Sequence, residues 1–372
     1  MPEPLKNIYS KTFFDTFLSN LPEVTPSLFL PKIFDEHWEN KELKQRMRHI
    51  ALTLGETLPN HYPTAINILR TLVERVRSSQ RSEMNFGYMF LPDFIEVFGL
   101  EDYDTSILAM EHITQFTSCE FAVRPFLLRY FDKMSAQMLD WSKHPQPMVR
   151  RLASEGMRPL LPWAMGVPQL KKDPSPILPI LENLKTDPSE TVRRSVANNL
   201  NDIAKNQPDV VLAISANWRG SSPEIDWIIR HGSRTLLKRA NAGALQAFGF
   251  GADAHLVVEN LRLDKTVLSI GEGLVFGFSV HDMSNIENTV QNSREGRKIR
   301  IEYGIDYRKA NGKTTRKIFQ ITETTYSAGQ SLRYERRQSF HDLTTRKHYK
   351  GQHQLAIIVN GVEKAVVKFD LL

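Results

Sequence analysis

The feature that most limits how this chain can fold is a repeat in the middle of the sequence. The stretch MLDWSKHPQPMVRRLASEGM (138–157) is matched by ILENLKTDPSETVRRSVANNL (180–200). In each copy an apolar helical pattern ends at a His-Pro or Asp-Pro turn, and a second helical pattern begins with Val-Arg-Arg. A unit of this kind cannot bury its apolar face alone, so the repeat predicts helix pairs that stack on one another.

The spacing of the two copies indicates the kind of helical repeat. Val149 and Val192 are 43 residues apart, which lies within the period of HEAT-type repeats. A weaker third copy, VVLAISANWRGSSPEIDWIIRHGSRTLLK, spans 210–238. Before about residue 135 the pattern is helical, but its repeats are too degenerate to number. We therefore predict a mainly α protein, a HEAT-like solenoid whose second helices line the concave side.

Each Val-Arg-Arg helix is expected to carry an apolar and a polar face. In the second copy the apolar face contains Val192, Val196, Leu200 and Ile203, and the polar line contains Arg194, Asn198, Asn201 and Lys205, with Asp202 at its edge. In the first copy Arg151, Glu155 and Arg158 share a face. The alternative is an ion pair between Arg151 and Glu155 on a solvated surface, and spacing alone supports both interpretations.

The last third of the chain has the pattern of a β-domain. Runs such as GLVFGFSVH, KIRIEYGIDYRK and QLAIIVNGVEKAVVKF alternate apolar and polar residues, and the pairs Asn311-Gly312 and Asn360-Gly361 are strong hairpin signals. About seven short strands predict an immunoglobulin-like β-sandwich. The boundary is expected near residues 249–256, which divides the chain into a helical domain, 1–250, and a sandwich domain, 256–372.

The positive charge of the chain is concentrated in this predicted sandwich. The net charge is +6, and the residues from 256 onward contain 19 Lys and Arg against 13 Asp and Glu, so the first 255 residues are neutral. The basic residues cluster in REGRKIR (294–300), RKANGKTTRK (308–317), RYERRQ (333–338) and TTRKHYK (344–350). A basic module favours a polyanionic partner, with DNA or RNA as the first candidate, although a solvated basic surface has the same composition.

Composition excludes several other classes of protein. A single cysteine, Cys119, permits no internal disulfide and no cysteine-rich metal site, and it is best explained as a buried packing residue. His144 and His231 lack metal-ligand spacing. No apolar run is long enough for a membrane helix, so no membrane contact is expected. The single cysteine fits a reducing compartment, and we expect a cytoplasmic protein. Nothing in the sequence indicates a cofactor, a metal or an oligomer, and a monomer is expected.

Four motifs together carry a family resemblance. PKIFDEHWENKELKQRMRHIA (31–51), TSCEFAVRPFL (117–127), HPQPMVRRLASEGMRPLLPWA (144–164) and VRRSVANNLNDIAKNQPD (192–209) resemble the alkylpurine DNA glycosylases built from HEAT-like repeats, in particular the AlkC branch. The similarity spans the helical part of the chain, about residues 1–250. The basic sandwich is similar to the immunoglobulin-like domain of some members of that branch.

The resemblance implies a monofunctional glycosylase of base-excision repair. Such an enzyme hydrolyses the N-glycosidic bond of cationic alkylated bases in duplex DNA, such as 3-methyladenine and 3-methylcytosine, without a base-flipping pocket, and leaves an abasic site. The catalytic residues that it implies here are Glu120, Glu155, Asp202 and Trp163. No lysine is marked as a Schiff-base nucleophile, so no strand-cleaving step is expected.

The chemistry accounts for these residue types. As the glycosidic bond breaks, the sugar gains oxocarbenium-like charge, which nearby carboxylates and an indole face stabilise. Residues expected to bind DNA are Arg151, Arg158, Arg194, Asn198 and Lys205, with the arginines holding the flanking phosphates. Each acid could instead be a structural ion-pair partner or surface acid, and Trp163 could cap a core. Trp141 and Trp227 are expected to be core residues.

The main competing hypothesis for the whole chain is a non-catalytic scaffold. HEAT-repeat proteins also bind DNA or other proteins without performing any chemistry. The carboxylates distinguish the two hypotheses, because only the enzyme needs Glu155 and Asp202 in one shared cleft.

Overall fold

The computed structural model describes residues 3–79, 85–251, 255–283, 297–327, 329–343 and 346–372. Parts of the predicted basic clusters at 294–300 and 344–350 lie outside these residues. Among the described residues, no helix has both the length and the apolar composition needed to cross a membrane.

Helices form the chain up to residue 247. They are α1 (Lys11–Ser19), α2 (Pro26–Ile33), α3 (Leu43–Thr57), α4 (Tyr62–Ser79), α5 (Phe90–Phe98), α6 (Tyr103–Ile113), α7 (Val123–Arg129), α8 (Phe131–Trp141), α9 (Pro147–Gly156), α10 (Pro168–Lys172), α11 (Leu178–Leu184), α12 (Glu190–Ile203), α13 (Pro208–Trp218), α14 (Pro223–Gly232), α15 (Arg234–Lys238) and α16 (Ala242–Ala247). Short 3-10 helices span Leu5–Ile8, Trp38–Asn40 and Phe86–Tyr88.

The two Val-Arg-Arg helices are α9 and α12, and local chemistry accounts for where they begin. Pro147 occupies the first turn of α9, where its missing N–H leaves no hydrogen bond unmade. Glu190 lies in the first turn of α12, where its charge complements the helix dipole. The predicted apolar stripe of α12 is buried: Val192, Val196, Leu200 and Ile203 are at most 2% exposed.

Helices α9, α12 and α14 pack in succession within the helical unit. Helix α9 packs against α8 and α12, and α12 packs against α14. The second helices of the repeat are therefore neighbours, as the repeat predicts. This packing brings side chains from the ends of α9 and α12 close together.

Strands form the remainder of the chain. They are β1 (Leu256–Leu263), β2 (Val267–Leu268), β3 (Gly273–Asp282), β4 (Arg297–Arg308), β5 (Thr314–Tyr326), β6 (Ser331–Ser339), β7 (Gly351–Val359) and β8 (Val362–Leu371). One sheet has the order β1-β3-β6 and is antiparallel. The other has the order β2-β8-β7-β4-β5 and is antiparallel except for the short parallel β2–β8 pair.

A single apolar core connects the two sheets. It includes Phe276 and Phe278 from β3, Ile301 from β4 and Ile357 from β7, all of which are nearly inaccessible to solvent. Residues from both sheets contribute to this core, which confirms the predicted β-sandwich. The described residues contain eight strands rather than about seven.

Both Asn-Gly pairs form the hairpins that the sequence predicts. Asn360 and Gly361 connect β7 to β8, and both have positive φ, 47° and 78°. This conformation matches the twist of a two-residue hairpin, and asparagine and glycine adopt it most readily. The side chain of Asn360 also accepts a hydrogen bond from the Arg300 N–H at 2.8 Å, which ties the turn to β4.

The chain divides into two compact units, Met1–Val211 with Asn217–Gly232, and Leu212–Ala216 with Ser233–Leu372. The second unit contains α15 and α16 in addition to the strands. The prediction of a mainly α protein therefore holds for the first part of the chain only. The predicted limits of 1–250 and 256–372 follow the change from helix to strand and remain a prediction for the functional domains.

Candidate active site

A buried guanidinium group joins two buried carboxylates. Arg158 is 8% exposed, and its Nη1 donates to Glu155 Oε1 at 2.6 Å while its Nε donates to Asp202 Oδ2 at 2.8 Å. Glu155 lies in the last turn of α9 and Asp202 in the last turn of α12. The two acids, 47 residues apart in sequence, thus share one cation.

The remaining oxygen of each carboxylate also accepts a hydrogen bond. Ser195 Oγ donates to Glu155 Oε2 at 2.6 Å, and Lys205 Nζ donates to Asp202 Oδ1 at 3.0 Å. Burial works to lower the pKa of the Arg158 guanidinium, but the carboxylates of Glu155 and Asp202 outweigh it and raise that pKa above its usual value. Arg158 is therefore a permanent cation, and both acids are held in fixed orientations.

Glu120 forms an ion pair with Arg151 of α9. It lies in the turn before α7, and its Oε2 accepts from Ser118 Oγ at 2.7 Å and from Arg151 Nη2 at 2.9 Å. Arg151 Nη1 also donates to Ser118 Oγ at 2.9 Å. Helix α9 thus carries Glu155 and, through Arg151, also binds the turn that carries Glu120.

Trp163 presents its indole to solvent from the segment between α9 and α10. It is 62% exposed, which excludes the alternative that it caps a core. Its φ is +64°, a left-handed conformation that is rare and costly for a bulky residue. Lys44 Nζ donates to the Trp163 carbonyl oxygen at 2.6 Å and lies 5.2 Å from the centre of the Phe121 ring. Lys44 therefore connects the Trp163 segment to the residue next to Glu120.

The alternative ion pair between Arg151 and Glu155 is not what the structure contains. Arg151 pairs with Glu120, whereas Glu155 pairs with Arg158. Helix α9 ends at Gly156, so Arg158 lies beyond the helix and does not follow its face. The prediction that Arg151, Glu155 and Arg158 occupy one helical face was therefore wrong in its detail.

The residues predicted to bind DNA have different surroundings. Arg158 is occupied by two carboxylates and is buried, so a direct phosphate contact from it is contradicted. Lys205 pairs with Asp202, and Asn198 is half-buried. Arg194 is exposed, pairs with Glu190 at 2.6 Å and lies 5.6 Å from the centre of the Trp227 ring. Of the cations in this set, Arg194 is the most accessible to a phosphate.

The polar face of α12 that meets α9 is shifted by one residue from the prediction. It consists of Ser195, Asn199 and Asp202, which are spaced at i, i+4 and i+7. Asn199 Nδ2 donates to the main-chain oxygen of Ser154 at 2.8 Å. The sequence contains this spacing, but the prediction followed the line that carries the charged residues Arg194 and Lys205, which lies one residue away on the helix.

Two further predictions concern tryptophans. Trp141 is fully buried, as predicted for a core residue, and its Nε1 donates to Glu111 Oε2 at 2.8 Å. Trp227 is 38% exposed and stacks on His231 with ring centres 5.0 Å apart, so its assignment to the core was wrong. Cys119 is buried, as predicted.

Among the described residues, no group of three or more His, Cys, Asp and Glu side chains is arranged to hold a metal ion. The chemistry that the site offers is that of fixed carboxylates, paired cations and an exposed indole.

Comparisons with known proteins assign both parts of the chain to families. Residues 100–221 match the family model described as "DNA alkylation repair enzyme", and residues 257–372 match "Uncharacterised protein YhaZ, C-terminal Ig-like domain". The first match contains Glu120, Glu155, Trp163 and Asp202.

Two full-length matches extend the similarity over both units. The protein YhaZ of Bacillus subtilis is 43% identical over 371 residues, which is 99% of each chain. The chain is also similar to a solved structure, the Pseudomonas fluorescens alkylpurine DNA glycosylase AlkC bound to DNA containing an abasic site analog. The two are 33% identical, the match covers 100% of each chain, and the TM-score is 0.90. The chain belongs to the DNA alkylation repair enzyme family, close to AlkC and YhaZ, and carries a C-terminal Ig-like domain.

Proposed function

We propose that this protein is a monofunctional DNA glycosylase with HEAT-like repeats. Its substrates are cationic alkylated bases of the 3-methyladenine and 3-methylcytosine class in duplex DNA, and its product is an abasic site. The observation that carries the proposal is the meeting of Glu155 and Asp202 on one buried guanidinium, in the same helical unit as the exposed Trp163.

The reaction needs stabilisation at the sugar more than at the base. When the bond between C1′ and the base nitrogen breaks, its electron pair moves to the cationic base, which leaves neutral. The deoxyribose is left with oxocarbenium-like charge, and water adds to C1′ and gives its proton to a carboxylate or to solvent. Fixed anions beside the sugar stabilise this charge without reorganising during the reaction.

The surrounding side chains fix the positions of the acids. Arg158 donates to both carboxylates, Lys205 donates to Asp202, and Ser195 fixes the orientation of Glu155. The Trp163 indole supplies an electron-rich face worth about 1–2 kcal/mol against a desolvated cation. Because an N3-alkylated base leaves readily, this arrangement needs no pocket around the base itself.

Base release from a duplex containing one 3-methyladenine tests the proposal. We expect Glu155→Gln and Asp202→Asn each to lower the single-turnover rate of release at least about a hundredfold, because each removes an anion that faces the sugar. Asp209→Asn is the matched control: this acid is exposed in the first turn of α13 and should leave the rate unchanged.

The scaffold hypothesis gives a different result in the same assay. Wild-type protein would then bind the duplex but release no base, and the two acid variants would bind as well as the wild type. Thermal unfolding of every variant is needed, because a misfolded acid variant would mimic a catalytic loss. A folded Asp202→Asn variant with wild-type release would exclude the proposed role of that carboxylate.

The monofunctional character is a separate prediction. Lys205 contacts one of the proposed catalytic acids, because its Nζ donates to Asp202 Oδ1 at 3.0 Å. A Schiff-base step requires a neutral amine at C1′. We therefore expect no covalent adduct when protein and damaged duplex are incubated with borohydride, and no strand cleavage at the abasic product. A trapped adduct that disappears in Lys205→Met would overturn this assignment.

A further inference from the structure

The segment 157–167 contains no helix or strand and carries two residues of the candidate active site. It connects α9 to α10, and it contains both Arg158, which is buried, and Trp163, which is exposed. The left-handed backbone of Trp163 costs on the order of 1–3 kcal/mol, and such strain persists only when surrounding contacts impose it. Something must therefore hold this segment in a single conformation.

The side chain of Arg124 makes the contacts that do so. Arg124 belongs to α7 and is fully buried. Its Nη1 donates to the main-chain oxygens of Gly156 and Arg158, both at 2.8 Å, and its Nε donates to the oxygen of Met165 at 3.0 Å. One planar guanidinium group thus fixes both ends of the turn that projects Trp163.

The surroundings of Arg124 are unusual for a buried cation. All three of its hydrogen bonds go to main-chain carbonyl groups, and within the described part of the chain no carboxylate lies in ion-pair distance of it. Burial, together with the neighbouring charge of Arg158, lowers the pKa of Arg124 to about 10. A buried charge of this kind contributes poorly to stability, which favours a role in positioning.

Two further contacts support the same role. Gly156 allows α7 and α8 to approach the end of α9, since an added Cβ would lie 2.7 Å from Val123 Cγ2 and 3.0 Å from Met138 Cε. Lys44 holds the tip of the segment through the Trp163 carbonyl oxygen. Cations from α3 and α7 therefore bind the carbonyl groups of residues 156, 158, 163 and 165.

We propose that Arg124, together with Lys44, is a positioning residue that fixes the 157–167 segment and so sets the position of the Trp163 indole. The role in catalysis rests on the function proposed above, whereas the control of the segment does not. Lysine cannot replace Arg124, because a single ammonium group cannot reproduce the planar fork that reaches three carbonyl oxygens.

Tryptophan fluorescence tests the positioning directly. In a Trp227→Phe background, Trp163 is the exposed tryptophan, because Trp38, Trp141 and Trp218 are at most 5% exposed. The signal of Trp163 is isolated by subtracting that of the Trp163→Phe variant in the same background. We expect Arg124→Lys to increase the fast local motion of Trp163 in time-resolved anisotropy and its quenching by acrylamide. Arg129→Lys, an exposed position on the same helix, is the matched control and should change neither.

The catalytic consequence is measured separately, without the Trp227→Phe change. We expect Arg124→Lys to lower the rate of 3-methyladenine release at least about tenfold, with the Kd for abasic duplex within about threefold of the wild type. A purely structural residue would not separate rate from affinity in this way. If Arg124→Lys does not fold, Lys44→Met decides, because Lys44 is exposed and its variant should loosen Trp163 in the same measurements.

Each result has a defined meaning. Unchanged Trp163 anisotropy in Arg124→Lys, or in Lys44→Met where the first variant does not fold, overturns the proposal. Increased mobility with unchanged base release overturns its catalytic part. If the wild type releases no base, the proposed function fails, yet the anisotropy still tests whether these cations control the segment.

Discussion

Arg158 is the residue on which the candidate active site most depends. It neutralises one oxygen of Glu155 and one of Asp202, and all three side chains are buried. Arg158→Met would leave two carboxylates without their shared partner, and breaking a buried ion pair in this way costs about 3–5 kcal/mol. We expect a loss of this size in the free energy of unfolding measured with urea. Arg194→Met removes an exposed ion pair and should change the free energy of unfolding by less than about 1 kcal/mol. Equal losses in the two variants would contradict the role of Arg158 as the shared partner of two buried carboxylates.

Asp93 is the residue that should make the stability of the helical unit depend on pH. Burial, with the charge of Glu96 added, raises the pKa of Asp93 to about 6, although Arg48 at 2.9 Å opposes the shift. Between about pH 4 and 6 the folded protein keeps a proton that the unfolded chain has lost, so stability falls as pH rises through this window. Relative to Asp93→Asn, the free energy of unfolding of the wild type should fall by roughly 2–3 kcal/mol between pH 4 and pH 7. If the difference in unfolding free energy between the two proteins does not change with pH, Asp93 is not the source of the pH dependence.

The residue types of the site could be predicted from the sequence, but their partners could not. Glu120, Glu155, Asp202 and Trp163 were chosen from motifs, and the structure places all four in one region of the helical unit. The prediction that Arg151, Glu155 and Arg158 share one helical face was wrong because α9 ends at Gly156, so Arg158 lies beyond the helix and contacts Asp202 of the next repeat. Such contacts depend on tertiary packing, which spacing within one helix does not encode.

At the scale of elements, the two arginines of each Val-Arg-Arg motif have separate functions. The first arginine binds the proline turn that precedes its own helix. Arg150 Nη1 donates to the oxygens of His144 and Pro145, at 2.9 and 2.8 Å, and Arg193 Nη1 donates to those of Asp187 and Pro188, at 2.7 and 3.0 Å. The second arginine of each motif does not bind this turn and pairs with an acid, Arg151 with Glu120 and Arg194 with Glu190.

This division predicts unequal effects of the same substitution at adjacent positions. Arg193→Lys should lower the free energy of unfolding by about 1–3 kcal/mol, because lysine cannot hold two turn carbonyls as the guanidinium group does. Arg194→Lys keeps an exposed i,i+4 ion pair and should change the free energy of unfolding by less than about 0.5 kcal/mol. Chemical denaturation of the two variants measures the difference. A larger loss at Arg194 would reverse the assignment of functions within the motif.

The elements themselves were predictable where a strong local signal was present. The repeat predicted that α9 and α12 are neighbours, and the Asn-Gly pair at 360–361 predicted the β7–β8 hairpin. The helices before residue 135 could be recognised only as helical, because their packing pairs are not marked by a repeated motif. The segment 157–167 could not be anticipated, since its conformation is imposed by Arg124 and Lys44, which are distant in sequence.

At the scale of the whole molecule, the sequence predicted a helical part followed by a basic β-sandwich. It did not predict that the short helices α15 and α16 belong to the same compact unit as the strands. Helix α15 forms the end of the weak third repeat copy and α16 follows it, so their periodicity extends the helical pattern without marking the change of unit. Local patterns identify what an element is, whereas contacts decide which unit it joins.

The charge of the sandwich leads to a prediction about DNA binding by the full chain. Strand β6 lies at the edge of its sheet, and Arg333, Arg336 and Arg337 on it are exposed. Each phosphate contact releases counterions and adds about 0.9 to the slope of log affinity against log salt. If β6 meets the DNA backbone, changing the three arginines to alanine should weaken binding to undamaged duplex and reduce that slope by up to about 3. Fluorescence anisotropy over a series of salt concentrations measures both quantities.

The control for this prediction removes the same number of charges elsewhere. Lys11, Lys32 and Lys133 are exposed, and each is already paired with an acid, so replacing them with alanine should leave the slope nearly unchanged. If both triple variants lower the slope equally, binding depends on net charge and β6 has no special role. If the β6 variant lowers the slope while single-turnover base release at saturating protein is preserved, the sandwich supplies affinity and the helical unit supplies the chemistry. That separation is expected, because none of the four proposed catalytic residues lies in the second compact unit.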